Sequence, residues 1–145
     1  MARIEDSVEI RRPPDKVFAY TTDARSWPKW QTIIPRSEQT SPGPVGVGTT
    51  FKGTSRMMGL SMKWTAKATE YEPPKKYGKN ITSAGMFIEQ HNTYNPIEGG
   101  MRFTLVYDLK VRGIFKLFSP MLVSTMRKEL KKSLGNLKGV LEAQS

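Results

Sequence analysis

Residues 115–141 read FKLFSPMLVSTMRKELKKSLGNLKGVL, and the rest of the chain has to be fitted around them. Phe115, Phe118, Leu122, Met126, Leu130, Leu134, Leu137 and Leu141 recur at intervals of three or four, which keeps one face of a helix apolar. From Pro120 to Ala143 such a helix would run about 36 Å at ~1.5 Å per residue. No other segment carries a comparable helical signal. The stripe must therefore be buried against sheet, and strands that wrap around one long helix tend to leave a hollow.

The preceding segments supply the strands. Val8 and Ile10 alternate with polar neighbours, as a half-buried strand does. Pro13-Pro14 ends that strand and opens a short helix over Asp15–Tyr20. A second short helix is expected around Ser26-Trp27-Pro28, with Ser26 as its N-cap. Further strands are expected at Thr49–Met57, Ser61–Glu72, Tyr77–Ser83, Met86–Asn95 and Met101–Val111. Turns at Gly59, Pro73-Pro74, Gly85 and Gly99-Gly100 separate them. Connections this short make antiparallel neighbours, with one face of the sheet dry. The glycines of Gly43 to Gly48 do not form a phosphate loop, because a strand and not a helix follows them.

The chain has 145 residues, enough for one domain spanning 1–145, with 37% hydrophobic and 25% charged residues. It contains no cysteine, so disulfides and thiolate metal sites are excluded. No run is apolar enough for a membrane span and no leader is evident, so a cytoplasmic location is expected. The formal charge is +10. Between residues 110 and 138, Lys110, Arg112, Lys116, Arg127, Lys128, Lys131, Lys132 and Lys138 face one acid, Glu129. That run is a solvated helix face or a docking face for an anionic surface. Nucleic acid is not expected, for want of any recognised motif.

The order of these elements, and several local motifs, resemble the START-like (SRPBCC) superfamily, whose fold is called the helix-grip. The motifs are Val8-Glu9-Ile10 running into Pro13-Pro14-Asp15-Lys16-Val17-Phe18-Ala19-Tyr20, Trp27-Pro28-Lys29-Trp30, Pro44-Val45-Gly46-Val47-Gly48-Thr49, Glu70-Tyr71-Glu72-Pro73-Pro74 and Gly99-Gly100-Met101-Arg102-Phe103-Thr104. They look closest to the polyketide cyclase/dehydrase and lipid-transport branch. The resemblance implies an α+β fold. A curved antiparallel sheet of six to seven strands would wrap around the long C-terminal helix, with two short helices after strand 1. It also implies a hydrophobic cavity between sheet and helix. Members bind lipids, polyketides, sterols or similar ligands, and only some are catalysts. Fold alone does not choose among these.

Strand alternation supplies candidates for the cavity wall. Phe51, Ser55, Met57, Met62, Trp64 and Glu70 should face inward, with Tyr77 and Ile81. Ile88, Gln90, Asn92 and Tyr94 should join them, then Phe103, Leu105 and Tyr107. Phe118, Leu122 and Met126 would close the space from the long helix, and Trp27, Trp30 and Ile33 from the short ones. Each could equally be ordinary core. Glu70, Gln90 and Asn92 on a dry face each need a partner, which a ligand-filled cavity or mutual hydrogen bonds would supply.

Candidates for acid–base chemistry are Glu70, Asn92, Tyr107 and His91. His91, the only histidine, has outward parity, and a one-residue slip would bring it inside. No nucleophile elbow, metal site or cofactor motif is evident. The stretch Ile114–Val123 is apolar nearly all round, with Ser119-Pro120 inside it as a helix restart capped by serine. It is a gate at the cavity mouth, a cap over the core or a dimer contact. As a gate, flanked by Lys110, Arg112 and Lys116, it would suit transient contact with an anionic membrane. The leading expectation is a non-enzymatic, or at most weakly catalytic, domain that binds and possibly transports a hydrophobic small molecule or lipid. The alternatives are a polyketide cyclase/dehydratase-like enzyme and a protein-interaction module. Oligomeric state is left open.

Overall fold

A computed structural model describes residues 2–144. The strands are β1 (Ala2–Ile10), β2 (Arg36–Gln39), β3 (Thr50–Met57), β4 (Leu60–Glu72), β5 (Lys76–Ser83), β6 (Met86–Ile97) and β7 (Gly100–Val111). Helices α1 (Pro14–Thr21) and α2 (Trp27–Trp30) follow β1, and α3 (Ser119–Glu142) ends the chain. The strands form one seven-stranded antiparallel sheet in the order β1-β7-β6-β5-β4-β3-β2. This is the expected α+β helix-grip architecture.

Hairpins join β3 through β7 in sequence, and β1 returns to pair with β7 along its whole length, from Ala2 opposite Leu109 to Ile10 opposite Met101. The alternation holds across these pairs. Tyr77 lies opposite Asn92, Ile81 opposite Ile88, Gln90 opposite Tyr107 and Tyr94 opposite Phe103, all on the inner face. Edge strand β2, with the polar sequence RSEQ, was not expected, because it shows no apolar alternation. It forms by pairing with β3, Arg36 opposite Thr54 through Gln39 opposite Phe51.

The helix α3 crosses the inner face and is pinned midway and near its C-terminus. Near its C-terminus, Lys138 Nζ donates to the Glu9 carbonyl (2.7 Å) and to Glu142 (2.8 Å), and the Arg11 N–H also donates to Glu142 (2.9 Å). Midway, the loop after α2 is tied down by the Thr32 N–H to Ser133 Oγ (3.1 Å), the Thr32 hydroxyl to Glu129, and Asn136 to the Trp30 carbonyl (3.3 Å). Leu130, Leu134, Leu137 and Leu141 are buried, so the C-terminal half of the helix packs solidly.

Four expectations about local structure need correction. Ser26 does not cap α2: its hydroxyl donates backward to the Tyr20 and Asp23 carbonyls (2.6 and 2.8 Å). Ser119 does not cap α3 either, since residues 113–118 form a 3-10 helix that runs directly into it. That tighter winding, about three residues per turn, breaks the 3.6-residue phase. Phe118, expected to close the interior, is therefore turned outward and 48% exposed. Phe115 packs over Gly85 in the β5–β6 turn, where a Cβ would lie 2.4 Å from its ring.

The last correction concerns Glu70. A bulge between Ala68 and Glu70 shifts the register of β4 against β5. Beyond it the parity reverses. Tyr71 turns inward against Phe18 (5.4 Å between ring centroids), while Glu70 pairs with Gly78 on the opposite face from buried Tyr77.

Candidate functional site

A cavity remains where the N-terminal half of α3 passes over the sheet. Its unfilled space is about 600 Å³ with the mouth included, of which about 60 Å³ can hold the centre of a water-sized sphere. The smaller figure is the one to set beside the roughly 300–1,000 Å³ of typical ligand sites, so the space between sheet and helix is narrow. The wall is built mainly from apolar side chains: Met57 and Trp64 from β3 and β4, Ile81 from β5, Met86 and Ile88 from β6, Met126 from α3, with Ile33 and Ile34 from the loop after α2. Gln31, Ser55, Ser83, Gln90 and Tyr107 add polar atoms, and Lys79 adds the single charge. A void of about 10 Å³ adjoins it between Trp30, Tyr107, Met126 and Glu129. A larger groove, about 1130 Å³ of unfilled space against the 600 Å³ of the cavity, lies elsewhere, over Arg36, Glu38, Lys52 and Lys63. Its charged lining suits a solvent-facing surface and not an apolar ligand.

Lys79 is the feature the sequence reading missed. It is 3% exposed, and its Nζ sits 3.3 Å from the centroid of the Trp27 ring. Local structure puts it there. On β5, Lys79 shares parity with Tyr77 and Ile81, and its cross-strand neighbours are Ala68 and Gln90. The small Ala66 and Ala68 leave room for a long side chain on the inner face. Trp27 is fixed in turn by its indole N–H, which donates to the Thr21 carbonyl (2.8 Å), and by Phe51 and Trp64 at 5.0 and 6.2 Å. Burial disfavours the charged amine and pulls its pKa down to about 7. The electron-rich face of Trp27 attracts the cation and works in the opposite direction. Among the described residues Lys79 takes part in no salt bridge.

A file of polar groups runs from the wall into the core. Gln90 donates to Asn92 (3.0 Å), Asn92 donates to the Tyr94 hydroxyl (3.3 Å), and Tyr94 shares a hydrogen bond with Thr21 (2.6 Å). Mutual hydrogen bonds thus satisfy the inward polar residues of β6. Burial raises the pKa values of the Tyr94 and Tyr107 phenols, so neither supplies a phenolate near neutral pH. Trp64 differs: its buried indole N–H has no partner.

The candidate residues therefore divide. Ile33, Met57, Trp64, Ile88, Gln90, Tyr107 and Met126 stand on the cavity wall. Phe51, Tyr94, Phe103, Leu105 and Leu122 are buried in packed core, Trp27 lies behind Lys79, and Trp30 borders the small void. Met62 is partly buried against the core. Of the four acid–base candidates, Tyr107 faces the cavity and Asn92 belongs to the hydrogen-bonded file. Glu70 and His91 lie on the outer face, so the four do not converge. Beyond Lys79, the reading also missed Gln31 and Ile34, in the loop after α2 where alternation carries no information, and Ser83 and Met86, strand-end residues that share the inward parity of Ile81 and Ile88.

No metal site was expected from the sequence. On the outer face, Glu89, His91 and Asp108 offer ligand atoms that all lie within 4.8 Å of one another. Glu89 and Asp108 are cross-strand partners, and Arg3 approaches Asp108 at 3.9 Å. This cluster is remote in parity from the cavity.

At the end of the sheet nearest the cavity, large apolar side chains are bare. Leu117 is 80% exposed, and Ile114, Met121 and Phe118 accompany it; Met58 and Leu60 protrude from the β3–β4 turn at the same end. In the same segment Phe115 packs over Gly85, and Leu122 is buried, so one side of it covers the core while the other is bare. Among the described residues no helix is long and apolar enough to cross a membrane.

An antiparallel sheet gripping one terminal helix defines the helix-grip class of domain. The chain belongs to the polyketide cyclase / dehydrase and lipid transport family, whose pattern it matches over residues 1–142. An uncharacterised protein of Mycobacterium tuberculosis strain H37Rv is 28% identical over 135 residues, which cover 87% of this chain and 78% of that protein. A START superfamily protein from Mycobacterium smegmatis superposes with a TM-score of 0.83 at 14% identity, covering 99% of each chain. The Zhui aromatase/cyclase of Streptomyces sp. R1128 superposes at 0.84 and 14% identity, covering 99% of this chain and 94% of that one. At such identities the superpositions establish the shared fold.

Proposed function

We propose that the chain is a cytoplasmic binding domain for a hydrophobic small molecule or lipid, held between the sheet and α3. The observation that carries this reading is the cavity itself, an apolar-walled space with a few polar groups beside an otherwise packed interior. Binding is favoured over acid–base catalysis because Glu70, His91, Asn92 and Tyr107 do not assemble into a dyad. Native mass spectrometry of protein purified from its own cells tests the proposal. A co-purifying apolar molecule, lost on denaturation, is expected; protein that is always empty and takes up no lipid extract would contradict it.

The bare apolar end supports a finer proposal, transient contact with an anionic bilayer. Ile114, Leu117, Phe118 and Met121 project beside Lys110, Arg112 and Lys116, an arrangement in which apolar insertion and electrostatic attraction act together. Each cation near such a surface contributes roughly 1 kcal/mol, screened by salt. Flotation with phosphatidylserine-containing vesicles at low salt should carry the protein upward. Leu117→Ser with Phe118→Ser should abolish it, and flotation of wild type equally well with neutral vesicles would argue against the charge component.

A further inference from the structure

The inference rests on the cavity being the binding site and names the chemistry of its occupant. The geometry points to an apolar carboxylic acid, its carboxylate against Lys79 Nζ and its hydrocarbon body along Ile81, Met86, Ile88 and Met126. Lys79 is the one charged residue on the wall, and no aspartate or glutamate shares that wall with it. A buried charge is ordinarily paired, since desolvation is otherwise uncompensated. Here the Trp27 ring covers one side of the amine, and among the described residues no carboxylate pairs with it. A ligand carboxylate would supply the missing counter-charge. Trp64 borders the same space, its ring centre 6.0 Å from Lys79 Nζ, and adds no counter-charge. A neutral alcohol or hydrocarbon would leave the ammonium unpaired.

The groups facing Lys79 decide how pH enters. Trp27 of α2, Trp64 and Ala68 of β4, and Gln90 of β6 do not titrate near neutrality, and burial keeps the Tyr107 phenol of β7 protonated. The carboxylate on this side, Glu129 of α3, lines the adjoining void, bonded by the Thr32 hydroxyl and 3.7 Å from Lys132. Lys79, brought to about 7 by burial, is therefore the wall group whose charge changes across the neutral range.

Calorimetric titration of delipidated protein with dodecanoate and with 1-dodecanol, two chains differing in the head group, tests the assignment. Wild type at pH 6.5 should prefer the acid by about tenfold or more, the scale of a charge-assisted hydrogen bond in a dry site. The preference should shrink at pH 10, where the amine is neutral. Lys79→Met should bind 1-dodecanol at least as well as wild type and lose the preference. Equal affinity of wild type for both ligands at pH 6.5 would overturn the inference while leaving the cavity as the site. So would a preference that survives in Lys79→Met or is unchanged at pH 10. Failure of wild type to bind either ligand would instead overturn the cavity reading, and this inference with it.

Discussion

An ammonium group moved out of water gives up hydration that a single aromatic face restores only in part. In Lys79 this has a defined sign. Unfolded, the amine holds its proton up to about 10.5; folded, burial brings that down to about 7. Below about pH 7 both states are charged and the native state bears the whole penalty, on the order of a few kcal/mol. Between about 7 and 10.5 the penalty fades, so this residue makes stability rise with pH. Lys79→Met should therefore stabilise the unliganded protein, most at pH 6 and little at pH 10, as read by urea unfolding. An equal gain at both pH values would show that charge is not the cause. Gly53 makes the complementary case. A Cβ there would meet the Trp64 ring at 2.4 Å and the Arg36 carbonyl at 2.3 Å, so Gly53→Ala should cost about 1–3 kcal/mol and lower the midpoint of thermal unfolding. At this scale the sequence was half legible. Parity assigned Tyr77 and Ile81 inward, and the same parity applied to the residue between them identifies Lys79. The assumption that charge faces solvent concealed it.

Along α3 the packing changes from hollow to solid, and substitutions should register the change. Leu137 is fully buried, so Leu137→Ala should cost about 2–5 kcal/mol. Met126 already borders unfilled space, and truncating it to Ala should cost less, because fewer dispersion contacts are lost. A larger loss at Met126 than at Leu137, measured by denaturant unfolding, would contradict this division of the helix. The helix and the five long strands after α2 were readable because each carries a sustained period of 3.6 or 2. Elements without a period were not. Edge strand β2 takes its existence from its partner, the β4 bulge exchanges Glu70 for Tyr71 with no residue that announces it, and the 3-10 turn removes Phe118 from the stripe by changing the winding.

For the molecule as a whole, the family motifs in the sequence are turns, caps and core positions, so they reported how the domain is built and not what fills it. The position and size of the cavity depend on where seven strands and a helix fail to meet, a quantity that emerges only from the assembled packing. The bare apolar end and the buried amine then give the space two distinct features, an exposed apolar rim and one charge-bearing side chain on its wall. Titration with the fluorescent apolar probe N-phenyl-1-naphthylamine, on wild type and on Ile88→Trp, measures most directly whether that space takes up molecules. The account predicts saturable one-to-one binding by wild type that the added indole abolishes while the thermal midpoint stays close to that of wild type. Equal binding by both proteins, or none by wild type, would contradict it.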